Sequence, residues 1–180
     1  ESLFGPRPSE ADSGPEVLFV GNSRGMLRPV VSNALDAGLP LTLYGRDWAA
    51  LLPPGQVVRP PVPNSEVGAL YASASVVLND HHEDMAREGF VSNRVFDALA
   101  CGARVVSDPV AGLDQLFGNA VATFEDEKGL AELCRAPYPA FGSLDDRLAL
   151  AEQVRTQHTF TARARRLVDD AVRELRARRP

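Results

Sequence analysis

The residues best suited to ligand binding lie where a buried strand is followed by a helix near the middle of the chain. The strand is predicted to end at Asn79, a polar segment follows, and a helix begins at Ser92 or Asn93. The first turn of a helix exposes backbone N–H groups at the positive end of its dipole, which suits a phosphate. Asp97 follows Arg94 by three residues and Asn93 by four, so it shares a face of this helix with both. The spacing predicts a diphosphate on the helix terminus and a ribose whose hydroxyls donate to Asp97.

A second candidate group follows the first predicted strand. Its members are Gly21, Asn22, Ser23, Arg24 and Arg28. Gly21 permits close approach of the backbone to a ligand, and Arg24 and Arg28 have the charge to neutralise a diphosphate. A glycine after a strand is also common in an ordinary turn, so an anion-binding loop and a plain turn both remain open.

These groups are positioned by short apolar runs that alternate with segments of helical periodicity. Strands are predicted at about 16–21, 39–44, 57–58, 73–79, 103–107 and 120–124. Helices are predicted at about 29–37, 64–72, 93–101, 113–117, 126–135, 143–157 and 160–178. This alternation predicts an α/β fold: a doubly wound, Rossmann-like parallel sheet of about six strands, with helices on both faces and a helical C-terminal tail. Ligands of such sheets bind at the carboxyl ends of the strands, where both candidate groups fall.

The predicted domain spans residues 16–142. Residues 1–15 are rich in Pro, Gly and Ser and are interpreted as a linker or tail. Residues 143–180 form C-terminal helices that pack on this domain or on a missing N-terminal domain. The lack of an initiator Met favours an excised fragment.

The segment Asn93–Gly102, with the strand Ala103–Asp108 after it, resembles the C-terminal, donor-binding half of GT-B glycosyltransferases. It is most similar to the family-4 type and to the spore-maturation-protein-B-like group. The resemblance extends from about Glu16 to Leu175. It implies transfer of a sugar from a nucleotide diphosphate-sugar to an acceptor, with retention of anomeric configuration. It also implies an N-terminal acceptor domain as partner, so the isolated chain is expected to bind donor without transferring it.

The resemblance assigns roles to individual residues. The acid before the Ala-x-Ala-Cys-Gly motif binds the donor ribose, which implies Asp97, and the preceding loop binds the diphosphate, which implies Ser92 and Asn93. An upstream acid lies near the donor sugar, and Glu88 is the candidate for this catalytic role. Glu88 is one residue farther from Asp97 than the family's spacing, and Gly89 stands at the literal position.

Two further segments resemble the same enzymes. The stretch around Arg59 matches the segment whose backbone lies against the nucleobase. The stretch Tyr44–Trp48 resembles a Gly-x-x-Trp segment, in which Trp48 either packs in the core or stacks on the base.

The run from Asp80 to Asp84 contains metal-ligating residue types, including His81 and His82. Adjacent residues in a loop seldom converge on one ion, and no distant histidine completes a set. No metal and no permanently bound cofactor are therefore predicted. The two histidines either contact the donor sugar or phosphate or are solvated.

Composition narrows the classes of function. The formal net charge of −5 argues against a nucleic-acid binder, and no apolar run is long enough to span a membrane. Cys101 and Cys134 have no ligand-like spacing and fit reduced, buried thiols in a cytoplasmic protein.

The last predicted helix is amphipathic and rich in arginine. Its apolar stripe consists of Phe160, Ala164, Leu167, Val168, Ala171, Val172 and Leu175. Residues 155–179, which include this helix, carry the arginines Arg155, Arg163, Arg165, Arg166, Arg173, Arg176, Arg178 and Arg179. They form either a solvated face or a contact with an anionic surface, such as a membrane or another domain.

Two other classes of protein compete with the transferase interpretation. A binding or regulatory module with a GT-B-derived fold would explain the displaced Glu88 and the short Asp97 side chain. A response-regulator-like flavodoxin fold requires paired acids after the first strand, where this chain has Gly21, Asn22 and Ser23.

Overall fold

The computed structural model describes residues 4–6, 14–135 and 140–178. Six parallel strands form one sheet. They are β1 (Val17–Val20), β2 (Leu41–Tyr44), β3 (Val58–Arg59), β4 (Val76–Asn79), β5 (Val105–Ser107) and β6 (Val121–Thr123). The helices are α1 (Pro29–Asp36), α2 (Asn64–Ser73), α3 (Glu83–Arg87), α4 (Asn93–Ala100), α5 (Leu113–Phe117), α6 (Glu127–Arg135), α7 (Leu144–Gln157) and α8 (Phe160–Ala177), with a 3₁₀ turn at Gly118–Ala120.

The strand order is β3-β2-β1-β4-β5-β6. The chain builds the sheet outward from β1 in one direction through β2 and β3, then crosses back to β4 and builds it in the other. In the register, Val17 lies opposite both Leu41 of β2 and Val76 of β4. The point between β1 and β4 is therefore the topological switch point, and its crevice at the carboxyl ends of these strands is where ligands of such sheets bind.

Both faces of the sheet are covered by helices, which explains why the strands are almost continuously apolar. Phe19 points into a core formed with α1 and α6, which contribute Val30 and Leu130 among others. Leu18 points to the opposite core, formed with α2, α4, α5 and α7. Alternation of neighbouring side chains between two packed cores fixes the register of each strand.

The predicted doubly wound parallel sheet is confirmed. Every predicted strand and helix is present within a few residues of its predicted bounds. Cys101 and Cys134 are both buried, as predicted. Of the predicted 1–15 linker, residues 1–3 and 7–13 lie outside the described residues; within the described part, Phe4 stacks on Tyr71.

The sequence predicted a polar loop before α4, but this segment contains the five-residue helix α3. This helix buries no side chain, so no apolar periodicity marked it. Its charges suit a helix: Glu83 and Asp84 lie in the first turn and Arg87 in the last.

The two C-terminal helices differ in their packing. α7 lies against α4, and Arg147 Nη1 donates to the Gly102 carbonyl at 2.8 Å. α8 is exposed along almost its whole length, and its apolar stripe includes Phe160, Leu167 and Leu175, which are 73%, 72% and 67% exposed. Arg179 lies outside the described residues. No helix in the described part of the chain combines the length and apolar character needed to cross a membrane.

Candidate functional site

The loop after β1 lies at the switch point and is bound to the loop after β2. The Gly21 carbonyl accepts from Trp48 Nε1 at 2.8 Å, and Asn22 Oδ1 accepts from the Arg46 amide at 2.9 Å. Ser23 is fully buried, and its hydroxyl donates to the Asp47 carbonyl. The side chains of Asn22 and Ser23 thus hold the loop in place, and Arg24 is exposed at its tip.

Trp48 is a packing residue. It is 1% exposed and lies edge-on to Phe19, with ring centroids 5.8 Å apart. A base-stacking platform needs an accessible ring face, and Trp48 has none.

The two loops approach each other so closely that glycine is required at Gly45. Its φ is +148°, a conformation that side-chain-bearing residues rarely adopt. A Cβ at this position would lie 2.0 Å from the Gly21 carbonyl oxygen. The close approach holds the loops after β1 and β2 against each other.

Arg28 does not project into the crevice. It is 5% exposed and forms a two-pronged ion pair with Asp80, through Nη2–Oδ1 at 2.6 Å and Nε–Oδ2 at 2.9 Å. Arg28 Nη1 also contacts His82 Nε2 at 2.7 Å. Its charge is therefore already neutralised by Asp80, and the pair ties the start of α1 to the end of β4.

Arg24 is the arginine of this loop that remains available. It is exposed, and no hydrogen bond or ion pair joins its side chain to any residue in the described ranges. Its φ of +55° places it in the left-handed region, which is uncommon for a residue with a side chain. Burial and the positive charges of Arg28 and Arg24 lower the pKa of His82 below its ordinary value of 6.5, so His82 is neutral at pH 7.

Arg94 lies in the first turn of α4 and turns inward. Its Nε donates to the Val20 carbonyl at 2.9 Å, and its Nη1 donates to Asn79 Oδ1 at 2.8 Å. The guanidinium lies 4.5 Å from the centre of the Phe19 ring. A Cβ on Gly21 would lie 2.7 Å from Arg94 Nη2, so the glycine at 21 makes room for this side chain. Arg94 thereby locks the start of α4 to the ends of β1 and β4.

The N-terminus of α4 has few free amides. The Ser92 N–H donates to His81 Nε2 at 3.0 Å, and the Arg94 N–H donates to the Ser92 hydroxyl at 3.3 Å. The Val95 N–H donates to the Ser92 carbonyl. The Asn93 N–H has no partner among the described residues, and Asn93 is exposed. Of the predicted phosphate-binding pair, Asn93 is available and Ser92 is already hydrogen-bonded.

His81 and Asp108 form a pair that sequence reasoning missed. The His81 side chain is fully buried, and Nδ1 lies 2.6 Å from Asp108 Oδ1. Asp108 closes the strand-and-turn segment that carried the family resemblance, but nothing in the local sequence links it to a histidine 27 positions earlier. The parallel pairing of β4 with β5 brings the two together.

Asp97 lies one turn into α4, half-buried, and accepts no hydrogen bond from any described residue. Burial raises the pKa of its carboxyl from 3.8 to about 6, and the positive charges of Arg94 and Arg163 oppose that rise. A carboxylate that is partly desolvated and has no hydrogen-bond donor of its own is suited to accept from ligand hydroxyls.

Within the described part of the chain, the side chains of Glu88 and Arg59 form no hydrogen bond or ion pair with these groups. The Glu88 side chain is 59% exposed and pairs with Arg87 at 3.2 Å. Glu88 also ends α3, just before Gly89. Arg59 is exposed, and its guanidinium lies 5.8 Å from the Tyr44 ring centre.

The acidic and histidine residues after β4 point in different directions. Asp80 and His82 both contact Arg28, whereas His81 contacts Asp108. Within the described ranges, no three His, Cys, Asp or Glu side chains come together as a metal site.

Comparisons with known proteins agree with this geometry. A sequence profile described as glycosyl transferase-like matches residues 22–169. None of the curated proteins matches the sequence. Sucrose-phosphate synthase from Thermosynechococcus elongatus is similar in structure, with a TM-score of 0.62 and 19% identity, over 98% of this chain and 50% of that one. A glycosyltransferase involved in avilamycin A biosynthesis is also similar, with a TM-score of 0.50 and 20% identity, over 84% of this chain and 52% of that one.

The fold and the crevice at the switch point define a Rossmann-like domain of the kind found in these transferases. Because the profile spans most of the sequence, the chain belongs to the glycosyl transferase-like family. It spans about half the length of the solved structures that it matches.

Proposed function

We propose that this chain is the donor-binding half of a GT-B glycosyltransferase and that it binds a nucleotide diphosphate-sugar at the start of α4. The observation that carries the proposal is the combination of a free Asn93 amide with the half-buried Asp97 carboxylate one turn later. Both lie at the carboxyl edge of the sheet, beside the switch point. Few ligands other than a phosphate joined to a polyol would use both the amide and the carboxylate.

The proposed binding mode follows from which groups are available. A phosphate oxygen accepts from the Asn93 N–H, where the dipole of α4 adds to the attraction. The exposed Arg24 supplies the compensating charge from the opposite side of the crevice. The ribose hydroxyls donate to Asp97. Helix dipole and arginine together carry the diphosphate charge, so no metal is needed.

Arg28 and Arg94 support this site without contacting the ligand. Their hydrogen bonds to Asp80 and to Val20 and Asn79 hold the loop after β1 and the start of α4 at a fixed separation. A preorganised site avoids the cost of ordering these groups on binding.

The acceptor and the second half of the active site belong to a partner domain in this proposal. A chain that spans half of the matched structures leaves room for such a domain. The exposed stripe of α8 is proposed as its docking surface, because a row of apolar side chains this exposed on a single domain marks an interaction face. The Arg-rich face of α8 would then meet solvent or an anionic surface, including a peripheral membrane.

The finer family assignment rests on the segment Asn93–Gly102. Its similarity to the family-4 and spore-maturation-protein-B-like groups supports a retaining transfer. In that scheme Glu88 is the acid near the donor sugar.

One observation favours a second function, a nucleotide-sugar-binding module without catalysis. Glu88 points into solvent and pairs with its neighbour Arg87. A catalytic acid needs a position within hydrogen-bonding reach of the reacting group. Donor binding is common to both functions, and sugar transfer distinguishes them.

A thermal-shift panel tests the shared claim. Nucleoside diphosphates and diphosphate-sugars of uridine, guanosine, adenosine and thymidine are each added to the folded chain. A ligand present at a hundred times its Kd stabilises the folded state by about 2.7 kcal/mol, which is a readily measured shift in Tm. At least one base series is expected to raise the Tm, with no sugar transfer by the chain alone. A flat panel contradicts donor binding, and robust transfer contradicts the need for a partner domain.

A further inference from the structure

A continuous chain of hydrogen bonds runs from β5 to the start of α4. Asn79 Nδ2 donates to the Ser107 hydroxyl at 2.9 Å, and that hydroxyl donates to Asp108 Oδ1 at 3.1 Å. Asp108 accepts twice from His81, from the backbone N–H at 3.1 Å and from ring Nδ1 at 2.6 Å. The chain ends where His81 Nε2 accepts from the Ser92 N–H at 3.0 Å. It joins the ends of two strands, β4 and β5, to the start of α4.

The partners of the ring define its tautomer. Asp108 is an acceptor, so Nδ1 carries the proton, and the Ser92 amide is a donor, so Nε2 does not. Both nitrogens are therefore used, and the side chain is fully buried. His81 is thus unavailable to contact a ligand directly.

These bonds engage some backbone amides at the start of α4 and leave another without a partner. With its own N–H held by His81, Ser92 is fixed as the N-cap, and its hydroxyl and carbonyl take the Arg94 and Val95 amides. Asn93 is left with the one amide in this turn that has no partner among the described residues. The direction of that amide is set by the position of Ser92.

We propose that His81, held by Asp108, is a positioning residue that fixes the start of α4 so that the Asn93 amide meets a ligand phosphate. This inference rests on the proposed function. It adds a specific link, from the end of β5 to the phosphate subsite, beside the Arg94 anchor, with which it shares Asn79.

Two substitutions separate the two hydrogen bonds of the ring. In His81→Asn, the side-chain amide nitrogen takes the place of Nδ1, so the bond to Asp108 is kept and the bond to Ser92 is lost. In His81→Gln, the longer side chain places an acceptor oxygen where Nε2 was, so the bond to Ser92 is kept. Each variant loses one buried hydrogen bond, so a purely structural role predicts similar losses of stability and equal affinities.

The positioning role predicts unequal affinities for the nucleotide diphosphate-sugar. We expect His81→Gln to bind within about twofold of wild type and His81→Asn to bind about tenfold more weakly, the effect of one hydrogen bond. Calorimetric titration gives the two Kd values, and urea unfolding gives the matched stabilities. Equal Kd values for the two variants, or weaker binding by His81→Gln, would overturn the inference.

Amide hydrogen exchange of the wild-type protein gives a second reading that needs no variant to fold. The Ser92 amide is expected to be protected with or without ligand, and the Asn93 amide is expected to gain protection when ligand binds. Protection gained at Ser92 instead of Asn93 overturns the positioning role. If the wild-type chain binds none of the nucleotide-sugars, the proposed function fails and the positioning role fails with it; ligand binding with equal variants contradicts the positioning role alone.

Discussion

At the scale of single residues, Asp97 combines a cost to folding with a proposed role in binding. Burial raises the pKa of its carboxyl to about 6, so between pH 3.8 and about 6 the folded state binds more protons than the unfolded state. The free energy of unfolding of the ligand-free protein should therefore fall as the pH rises through that window. Asp97→Asn should reduce this fall, which urea unfolding at pH 4.5 and 7.5 measures. The same slope in both proteins would contradict the raised pKa.

Ligand binding should depend on pH in the opposite direction. Ribose hydroxyls donate to the ionised carboxylate, so affinity for a nucleotide diphosphate-sugar should rise as the pH increases through about 6. A diphosphate-sugar is the right probe because both its phosphates are esterified and lack the terminal ionisation near pH 6. The Kd measured from pH 5 to 7.5 should change in wild type and stay nearly constant in Asp97→Asn. A flat wild-type profile would remove Asp97 from the ligand.

Substitution of Arg24 tests whether the unpaired arginine of the loop after β1 binds the diphosphate. Because it is exposed and unpaired within the described ranges, Arg24→Ala should weaken diphosphate-sugar binding about tenfold while leaving the unfolding midpoint unchanged. Arg173→Ala is the control, since Arg173 lies on α8 and pairs with Asp170. Fluorescence or calorimetric titration of the three proteins gives the comparison. Equal Kd values would mean that another cation holds the phosphate.

At the scale of elements, the loops at the switch point depend on contacts across the sheet. Gly45→Ala places a Cβ 2.0 Å from the Gly21 carbonyl in a backbone conformation that already disfavours side chains. Gly55→Ala has a similar backbone strain at φ +92° but no atom within 4 Å. We expect Gly55→Ala to cost about 1 kcal/mol of stability and Gly45→Ala about 3 kcal/mol or more. Urea unfolding measures the loss of stability in each variant, and equal losses would contradict the close approach of the two loops.

The ion pair between Arg28 and Asp80 should behave as a structural element. Arg28→Met leaves a carboxylate that is 3% exposed without its partner, which should cost about 3–5 kcal/mol of stability. Arg28→Met with Asp80→Asn should recover part of that loss, because the unpaired charge is removed. Urea unfolding measures the recovery. If Arg28→Met alone is as stable as wild type, the ion pair does not hold the loop.

The elements differ in how well the sequence predicted them. The central strands β1, β4 and β5 were predictable because each is an apolar run covered on both faces, and α4 because its apolar spacing ends at Gly102. The five-residue α3 buries nothing and left no pattern to read. The site residues were predicted by type and position, but not by what engages them. Arg28 meets Asp80 across 52 positions and Arg94 meets Val20 across 74. Such partners follow from strand order, which local sequence does not encode.

At the scale of the whole molecule, α8 is a helix without a partner along its apolar stripe. Leu167→Gln and Leu175→Gln should leave the Tm of this chain unchanged, because both side chains are already exposed. Leu99→Gln, at 2% exposure in the core, is the contrasting variant and should lower the Tm strongly. Thermal unfolding followed by circular dichroism gives the three values. A large loss for the α8 variants would show that the stripe is covered within this chain.

The two halves of the proposed activity are separable in this molecule. The proposed donor binding uses groups that all lie on the described sheet edge, namely the Asn93 amide, Arg24 and Asp97. Transfer needs an acid close to the sugar and an acceptor, and Glu88 points into solvent here. Binding is thus the claim that the domain itself must satisfy.

The most direct test of that claim is calorimetric titration of the wild-type chain and of Asp97→Ala with the nucleotide diphosphate-sugar that gives the largest thermal shift, at pH 7.5. The proposed site predicts one ligand per chain, with a Kd at least about tenfold weaker in Asp97→Ala while that variant stays folded. Equal affinities for the two proteins would contradict binding at the start of α4, and the absence of measurable heat with folded wild-type protein would contradict donor binding altogether.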